Sequence, residues 1–309
     1  MSALLSALQK YVAMRRGMGF KFRHQEKRLT SFVRFMEEHG ATVITNKLAI
    51  EWATLPKDRR PSWALRLTDV RGFARHLQGL DAQTEVPPTG ILPGLTRAKP
   101  YIYTDMEIET LLAAALDLPP VDGLRRWTYH CLFGLLSVTG LRISEALSLH
   151  CGDVDLKEGV LTIRDTKFGK SRLVPLHMTS QHALAAYAQR RDAHLSPTAR
   201  SQYFFVAEQG GKLLLQYVHK VFWQLSRQIG LRGPLDHRGP RLHDFRHRFA
   251  VQTLLNCYRS ERSVELILPV LSTYLGHTCV RDTYWYLSAC PELMGHTVRK
   301  LEQRWERVP

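Results

Sequence analysis

At 309 residues and 44% hydrophobic content, the chain has material for about two domains with ordinary buried cores. Its 43 Lys/Arg against 28 Asp/Glu leave a net charge of +15, which points to a polyanionic partner. Five cysteines, odd in number and without a Cys-x-x-Cys, argue against a disulfide framework or zinc knuckle, and no apolar run approaches the roughly 18 residues of a membrane span.

The opening MSALLSALQKYVAMRRG puts its positive charges after the apolar stretch, the reverse of a secretory signal, so a soluble cytoplasmic protein is expected. Leu4, Leu5, Leu8, Tyr11 and Val12 recur at helical spacing until Gly17 and Gly19 break the run. A second helical pattern carries Leu29, Phe32, Val33 and Met36 and ends at Gly40. Ile44 to Leu55 gives a third, and Pro61 opens a fourth through Trp63, Leu67, Val70, Phe73 and Leu77. Residues 1–95 hold 15 Lys/Arg against 8 Asp/Glu, about twice the basic excess per residue of the remainder. Short helices studded with Arg15, Arg16, Arg28, Arg66 and Arg71 predict a helical DNA-binding domain over residues 1–95. The Pro- and Gly-rich stretch PPTGILPGLTRAKP then reads as an interdomain linker ending at residues 96–100, before a second domain over 101–309.

Thr104, with Glu107 three residues on, has capping-box spacing and opens that second domain. An apolar helix from Trp127 to Val138 stops at Thr139-Gly140, and Arg142 starts another whose apolar positions are Ile143, Ala146, Leu147 and Leu149. The period changes at Val160–Ile163 and Leu173-Val174, which read as a β-hairpin around Thr166-Lys167-Phe168-Gly169-Lys170. Beyond it the pattern is helical again.

On residue type alone, Arg142 and Glu145 could be an ordinary helix-surface ion pair. His243 and Arg246 lie at i and i+3 and share a helical face, the spacing that lets an imidazole and a guanidinium meet one phosphate, while Leu242, Phe245 and Phe249 bury another. His243-Asp244-x-x-His247 also imitates the zincin pattern, although the acid is Asp and Arg246 would bring a cation beside a metal. His277 follows Leu275-Gly276, and nine residues later comes Tyr286, with Tyr284 two positions before it.

Thr139-Gly140-Leu141-Arg142-Ile143-Ser144-Glu145, His243-x-x-Arg246, Leu275-Gly276-His277 and Tyr286, in that order, resemble the tyrosine recombinases of the phage-integrase family. The resemblance covers the C-terminal two-thirds well and the first third loosely. It implies a mainly α-helical catalytic fold with a small β-sheet, preceded by a helical core-binding domain that completes a C-shaped clamp on double-stranded DNA. It implies that Arg142 and Arg246 grip the scissile phosphate with His243 and His277, and that Tyr286 is the nucleophile; Tyr284 stays open as a substitute. Alignment on Arg172-Leu173-Val174-Pro175-Leu176 selects Lys167, rather than Lys170, as the lysine that reaches the leaving 5′-oxygen. No cofactor or metal is implied. A homo- or hetero-tetramer on DNA is, with a helix at 291–306 that docks on a neighbouring protomer or on its own domain. Thr283-Tyr284-Trp285-Tyr286-Leu287 is similar to recombinases of bacterial mobile elements, which favours integration or transposition, and a cytoplasmic, nucleoid-associated location is expected of a recombinase. A type IB topoisomerase and a catalytically inactive DNA-binding relative remain the alternatives.

Overall fold

The computed structural model describes residues 2–57, 60–94, 99–164, 171–196, 201–233, 236, 239–260, 263–288, 292–295, 298–299 and 302. Lys167, the linker residues 95–98 and more than half of the expected helix at 291–306 lie outside the described residues. The chain divides into two compact units, Met1–Ala98 and Lys99–Pro309.

In the first unit, helices α1 (Ala3–Gly17), α2 (Arg23–Glu38), α3 (Asn46–Thr54) and α4 (Arg60–Gln78) surround one apolar core. Ser2 caps α1 by accepting from the Leu5 N–H at 3.1 Å, and Thr45 caps α3 by accepting from Leu48 at 3.3 Å. The latter sets the start of α3 two residues after Ile44, which is buried ahead of the helix rather than inside it. Phe32 meets Trp52 edge-on at 5.2 Å, and Tyr11 packs on Phe73 at 5.5 Å. Gly72 lets α4 approach α1, since a Cβ there would stand 2.9 Å from the Tyr11 hydroxyl. Several basic side chains are used inside the unit. Arg28 pairs with Asp69 at 2.5 Å, Arg66 stacks on Trp52 at 3.7 Å, and Arg71 donates to the Pro87 and Pro88 carbonyls.

The second unit begins with α5 (Asp105–Leu116), where Thr104 and Glu107 close a reciprocal capping box. Next comes α6 (Arg125–Thr139), which buries Leu132, Phe133 and Leu136 and ends at Gly140 in the left-handed conformation, φ 61°. The helix after Arg142 is a single turn, α7 (Ile143–Ala146). It stops early because the following backbone bonds elsewhere: the Leu149 carbonyl accepts from Phe204 and the Cys151 N–H donates to Gln202. Strands β1 (Val154–Asp155), β2 (Val160–Ile163) and β3 (Arg172–Pro175) form an antiparallel sheet in that order. Ile163 opposes Arg172 and Leu161 opposes Val174, so Leu161, Ile163 and Val174 share the buried face. Helices α8 (Met178–His194), α9 (Leu215–Gln228), α10 (Leu242–Arg259) and α11 (Val264–Leu275) follow, then a short α12 (Arg281–Tyr284) and a 3-10 turn, Trp285–Ser288. Phe133, Phe222 and Phe245 interlock α6, α9 and α10 with ring separations of 5.9 to 6.5 Å. The fold is thus mainly helical with one small sheet. Among the described residues no helix is long and apolar enough to cross a membrane.

Candidate active site

Four segments far apart in sequence meet at the C-terminal end of α11. The last carbonyls of a helix lack intrahelical partners and carry the negative end of its dipole. Here three consecutive carbonyls accept from three different arginines. Tyr274 O accepts from Arg172 Nε at 2.7 Å, Leu275 O from Arg246 Nη2 at 2.5 Å, and Gly276 O from Arg142 Nη2 at 3.1 Å. Arg246 Nη1 also donates to Gly140 O at 3.0 Å, which ties α10 to the turn that presents Arg142. That turn needs glycine twice over: φ is positive, and a Cβ on Gly140 would stand 2.7 Å from the Phe249 ring.

Glu145 is the one carboxylate at the centre of these described contacts. Its Oε1 accepts from Arg142 Nη1 at 2.7 Å and Arg172 Nη1 at 3.1 Å, and its Oε2 from Arg172 Nη2 at 2.8 Å and the Arg142 backbone N–H at 2.9 Å. Burial pushes its carboxyl pKa up, but hydrogen bonds and charge from Arg172, with those from Arg142, outweigh that and bring it down to about 2. Arg246 is 1% exposed, and its described hydrogen bonds end on carbonyls. Burial, then the neighbouring charge of Arg142, lowers its pKa to about 10, which still leaves it protonated at neutral pH. Three guanidiniums, Arg142, Arg172 and Arg246, crowd around a single carboxylate, and that excess of positive charge favours an incoming anion.

His243 lies on the same face of α10. It is exposed by surface area, yet protein crowds it enough that desolvation, and then the charge of Arg246, push its pKa down to about 4. At neutral pH it is a neutral ring with one donor and one acceptor nitrogen. Asp244 is 1% exposed and accepts from Arg241 through its backbone N–H at 2.8 Å and its Nη2 at 2.9 Å, which closes the first turn of α10. The carboxylate of the zincin-like pattern is therefore committed to Arg241, and it sits 4.0 Å from His247 Nε2. Among the described residues no three His, Cys, Asp or Glu side chains gather into a metal-binding group.

Tyr286 is buried, at 2% exposure, and Tyr284 is 54% exposed. Two residues of helical turn amount to about 200°, so the two rings point to opposite sides. The Tyr286 ring lies 6.1 Å from His277 at 19° and 5.6 Å from His247. Its position also acts electrostatically on Arg246. His277 is oriented by its Nδ1 contact with Thr283 Oγ1 at 2.8 Å, and Thr283 is fully buried. The structure therefore gathers Arg142, His243, Arg246, His277 and Tyr286 around the end of α11 and the start of α10. Lys167 lies outside the described residues; Ile163 and Arg172, which bracket its hairpin, are paired across the sheet. Sequence reasoning missed Arg172 and Thr283. Only the left-handed glycine after α11, φ 66°, signalled a helix end with carbonyls to be satisfied.

Comparison with known proteins gives the family of the chain. The family model described as the phage integrase family matches residues 103–292. A putative integrase/recombinase, y4rB, of Sinorhizobium fredii (strain NBRC 101917 / NGR234) is 50% identical over 99% of both chains. Tyrosine recombinase XerD of Caulobacter vibrioides (strain ATCC 19089 / CIP 103742 / CB 15) is 30% identical, covering 76% of this chain and 73% of its own. Among solved structures, the Tn1549 transposon integrase in complex with transposon right end DNA superposes with a TM-score of 0.68 at 16% identity, over 96% of this chain and 98% of that one. XerH bound to a palindromic difH substrate gives 0.65 at 18% identity, over 91% and 78%. The chain belongs to the phage integrase family, the tyrosine recombinases.

Proposed function

We propose that the protein is a site-specific recombinase that cleaves and rejoins double-stranded DNA through a 3′-phosphotyrosine on Tyr286, serving integration or transposition of a mobile element. The observation that carries this reading is the convergence of Arg142 and Arg246 on adjacent carbonyls, Gly276 and Leu275, directly before His277. In-line attack on a phosphodiester builds negative charge on its non-bridging oxygens, and catalysis is then chiefly positioning and electrostatic stabilisation. Arg142 and Arg246 supply that stabilisation with their planar forks. His243, neutral in the free protein, donates a hydrogen bond to the same phosphate, and His277 serves the tyrosine side of the reaction. Lys167 protonates the departing deoxyribose 5′-oxygen. A phenolate is a good leaving group, so the phosphotyrosine retains the bond energy needed for religation.

Duplex DNA is the partner that the net charge of +15 fits, and the Tn1549 transposon integrase, which shares the fold, is described in complex with DNA. We assign residues 1–95 to DNA binding and four protomers to the synaptic complex; its place of action is the bacterial cytoplasm, at the nucleoid.

The test is a nicked suicide duplex, from which the cleaved fragment diffuses away and the covalent protein–DNA adduct accumulates. The adduct should form in EDTA, because the phosphate charge is met by arginines. Arg142→Ala or Arg246→Ala should slow it about 10²–10³-fold, the loss typical of one transition-state donor. Loss of the adduct in EDTA with recovery on adding zinc would instead make His243 and His247 metal ligands.

A further inference from the structure

Arg172 is absent from the set that contacts DNA in the reading above, yet it makes the most complete set of contacts at the site. All three of its guanidinium nitrogens are engaged: Nε with Tyr274 O, and the two Nη with the two oxygens of Glu145. Its side chain is 11% exposed, against 29% for Arg142. Arg142 gives one bond each from Nη1 and Nη2 among the described contacts, which leaves further N–H groups for an anion, since a guanidinium carries five. Gly276 makes room for this packing, because a Cβ there would stand 2.8 Å from Arg172 Nη1, and its φ of 66° disfavours any other residue.

We propose that Arg172 is a positioning residue of the phosphate clamp: by locking Glu145 against the end of α11, it sets where the Arg142 guanidinium meets the scissile phosphate. This inference rests on the recombinase reading and adds a residue to it. Arg172 comes from β3, Glu145 from α7 and Tyr274 from α11, so a single planar fork joins three elements. Lysine cannot reproduce it, because an ammonium is a point charge on a flexible stem and cannot hold both carboxylate oxygens and a carbonyl in one plane. With Arg172 gone, Glu145 pairs with Arg142 alone and is free to draw that guanidinium away from the phosphate.

The test uses the full-length protein and a nicked suicide duplex that the wild type has itself selected from a random-sequence library. Adduct rate at saturating DNA, DNA Kd and melting temperature are measured for Arg172→Gln, Arg172→Lys, Arg142→Ala and the Arg142→Ala/Arg172→Gln double variant. Arg172→Gln and Arg172→Lys should each slow adduct formation by about 10- to 100-fold, less than the roughly 10²–10³-fold loss of a direct transition-state donor, with DNA Kd changed by less than about 3-fold. The double variant should be no slower than Arg142→Ala, because residues acting through one another are non-additive. If Arg172→Gln fails to fold, Arg172→Lys, which keeps charge and bulk, carries the same comparison. Wild-type rate in Arg172→Lys, or fully additive losses in the double variant, would overturn the proposal. So would recovery of Arg172→Gln on a duplex with sulfur at the 5′-bridging position, since that would place its effect on leaving-group protonation. Should Arg142→Ala itself react at the wild-type rate, the phosphate-clamp reading fails, and the role of Arg172 fails with it. Should Arg142→Ala be inactive and Arg172→Gln normal, only the present inference fails.

Discussion

Glu145 holds two guanidiniums at once, and its ionisation is therefore coupled to the integrity of the site. Its folded pKa lies near 2, below the ordinary 4.5, so the carboxylate contributes stability at every pH above about 4.5, and that contribution is lost as pH falls through 2. Glu145→Gln should lower stability at pH 7 by about 3 kcal/mol, the cost of removing one partner of a buried ion pair. The gap between variant and wild type should shrink as pH drops from 4.5 toward 2 in thermal melts. A gap constant over that range would mean that Glu145 is not held as a carboxylate by the arginines. At this scale the sequence was informative where a residue sits in a local motif. Arg142, His243, Arg246, His277 and Tyr286 could be named as candidates because the motifs around them resemble those of the family. Arg172 could not, because its partners are 27 and 102 residues away, and in sequence it looks like any basic residue at the end of a strand.

Among the elements, helices with a full apolar face were visible in the sequence: α2 buries the residues whose spacing announced it, α4 buries Leu67, Val70, Phe73 and Leu77 with Trp63 half-buried, and α6 buries Leu132, Phe133 and Leu136 although Val138 is exposed. The exceptions were set by tertiary hydrogen bonds. α7 looked longer in its apolar pattern, but pairing of Leu149 with Phe204 ends it, and β1 is only two residues long, too short to leave a periodicity. The 3-10 turn that carries Tyr286 has a functional consequence. Tyr286 is 2% exposed in the free protein, so if it is the nucleophile we expect segment 281–288 to move outward for a phosphodiester to reach its hydroxyl. Backbone amides of 281–288 should exchange hydrogen faster when the protein is bound to DNA, the reverse of the usual protection by a ligand. Slower or unchanged exchange would mean that attack occurs with the turn in its present place.

For the molecule as a whole, the division after Ala98 separates a strongly basic helical unit from the unit that holds every described candidate residue. Charge counting overstated the free cations of the first unit, because Arg28, Arg66 and Arg71 are engaged by Asp69, Trp52 and the Pro87 and Pro88 carbonyls. Such commitments are invisible to composition, which sees charge but not partners. Enough basic residues remain that DNA affinity should fall steeply with salt, by on the order of 10³ or more between 50 and 200 mM for 6 to 10 phosphate contacts. Removing residues 1–95 should abolish most of the affinity; a titration nearly flat in salt would contradict an electrostatic clamp.

The most direct test of the whole account is to identify the amino acid joined to DNA. Adduct trapped on the nicked duplex is digested with trypsin and nuclease, and the modified peptide is sequenced by mass spectrometry beside Tyr286→Phe and Tyr284→Phe. The prediction is a 3′-phosphate on Tyr286 in the wild type and in Tyr284→Phe, and no adduct in Tyr286→Phe with DNA binding nearly unchanged. An adduct on Tyr284, which points to the opposite side of the turn, would show that the nucleophile and the geometry drawn around it are wrong. A catalytically competent preparation with no tyrosine adduct would contradict the recombinase mechanism itself.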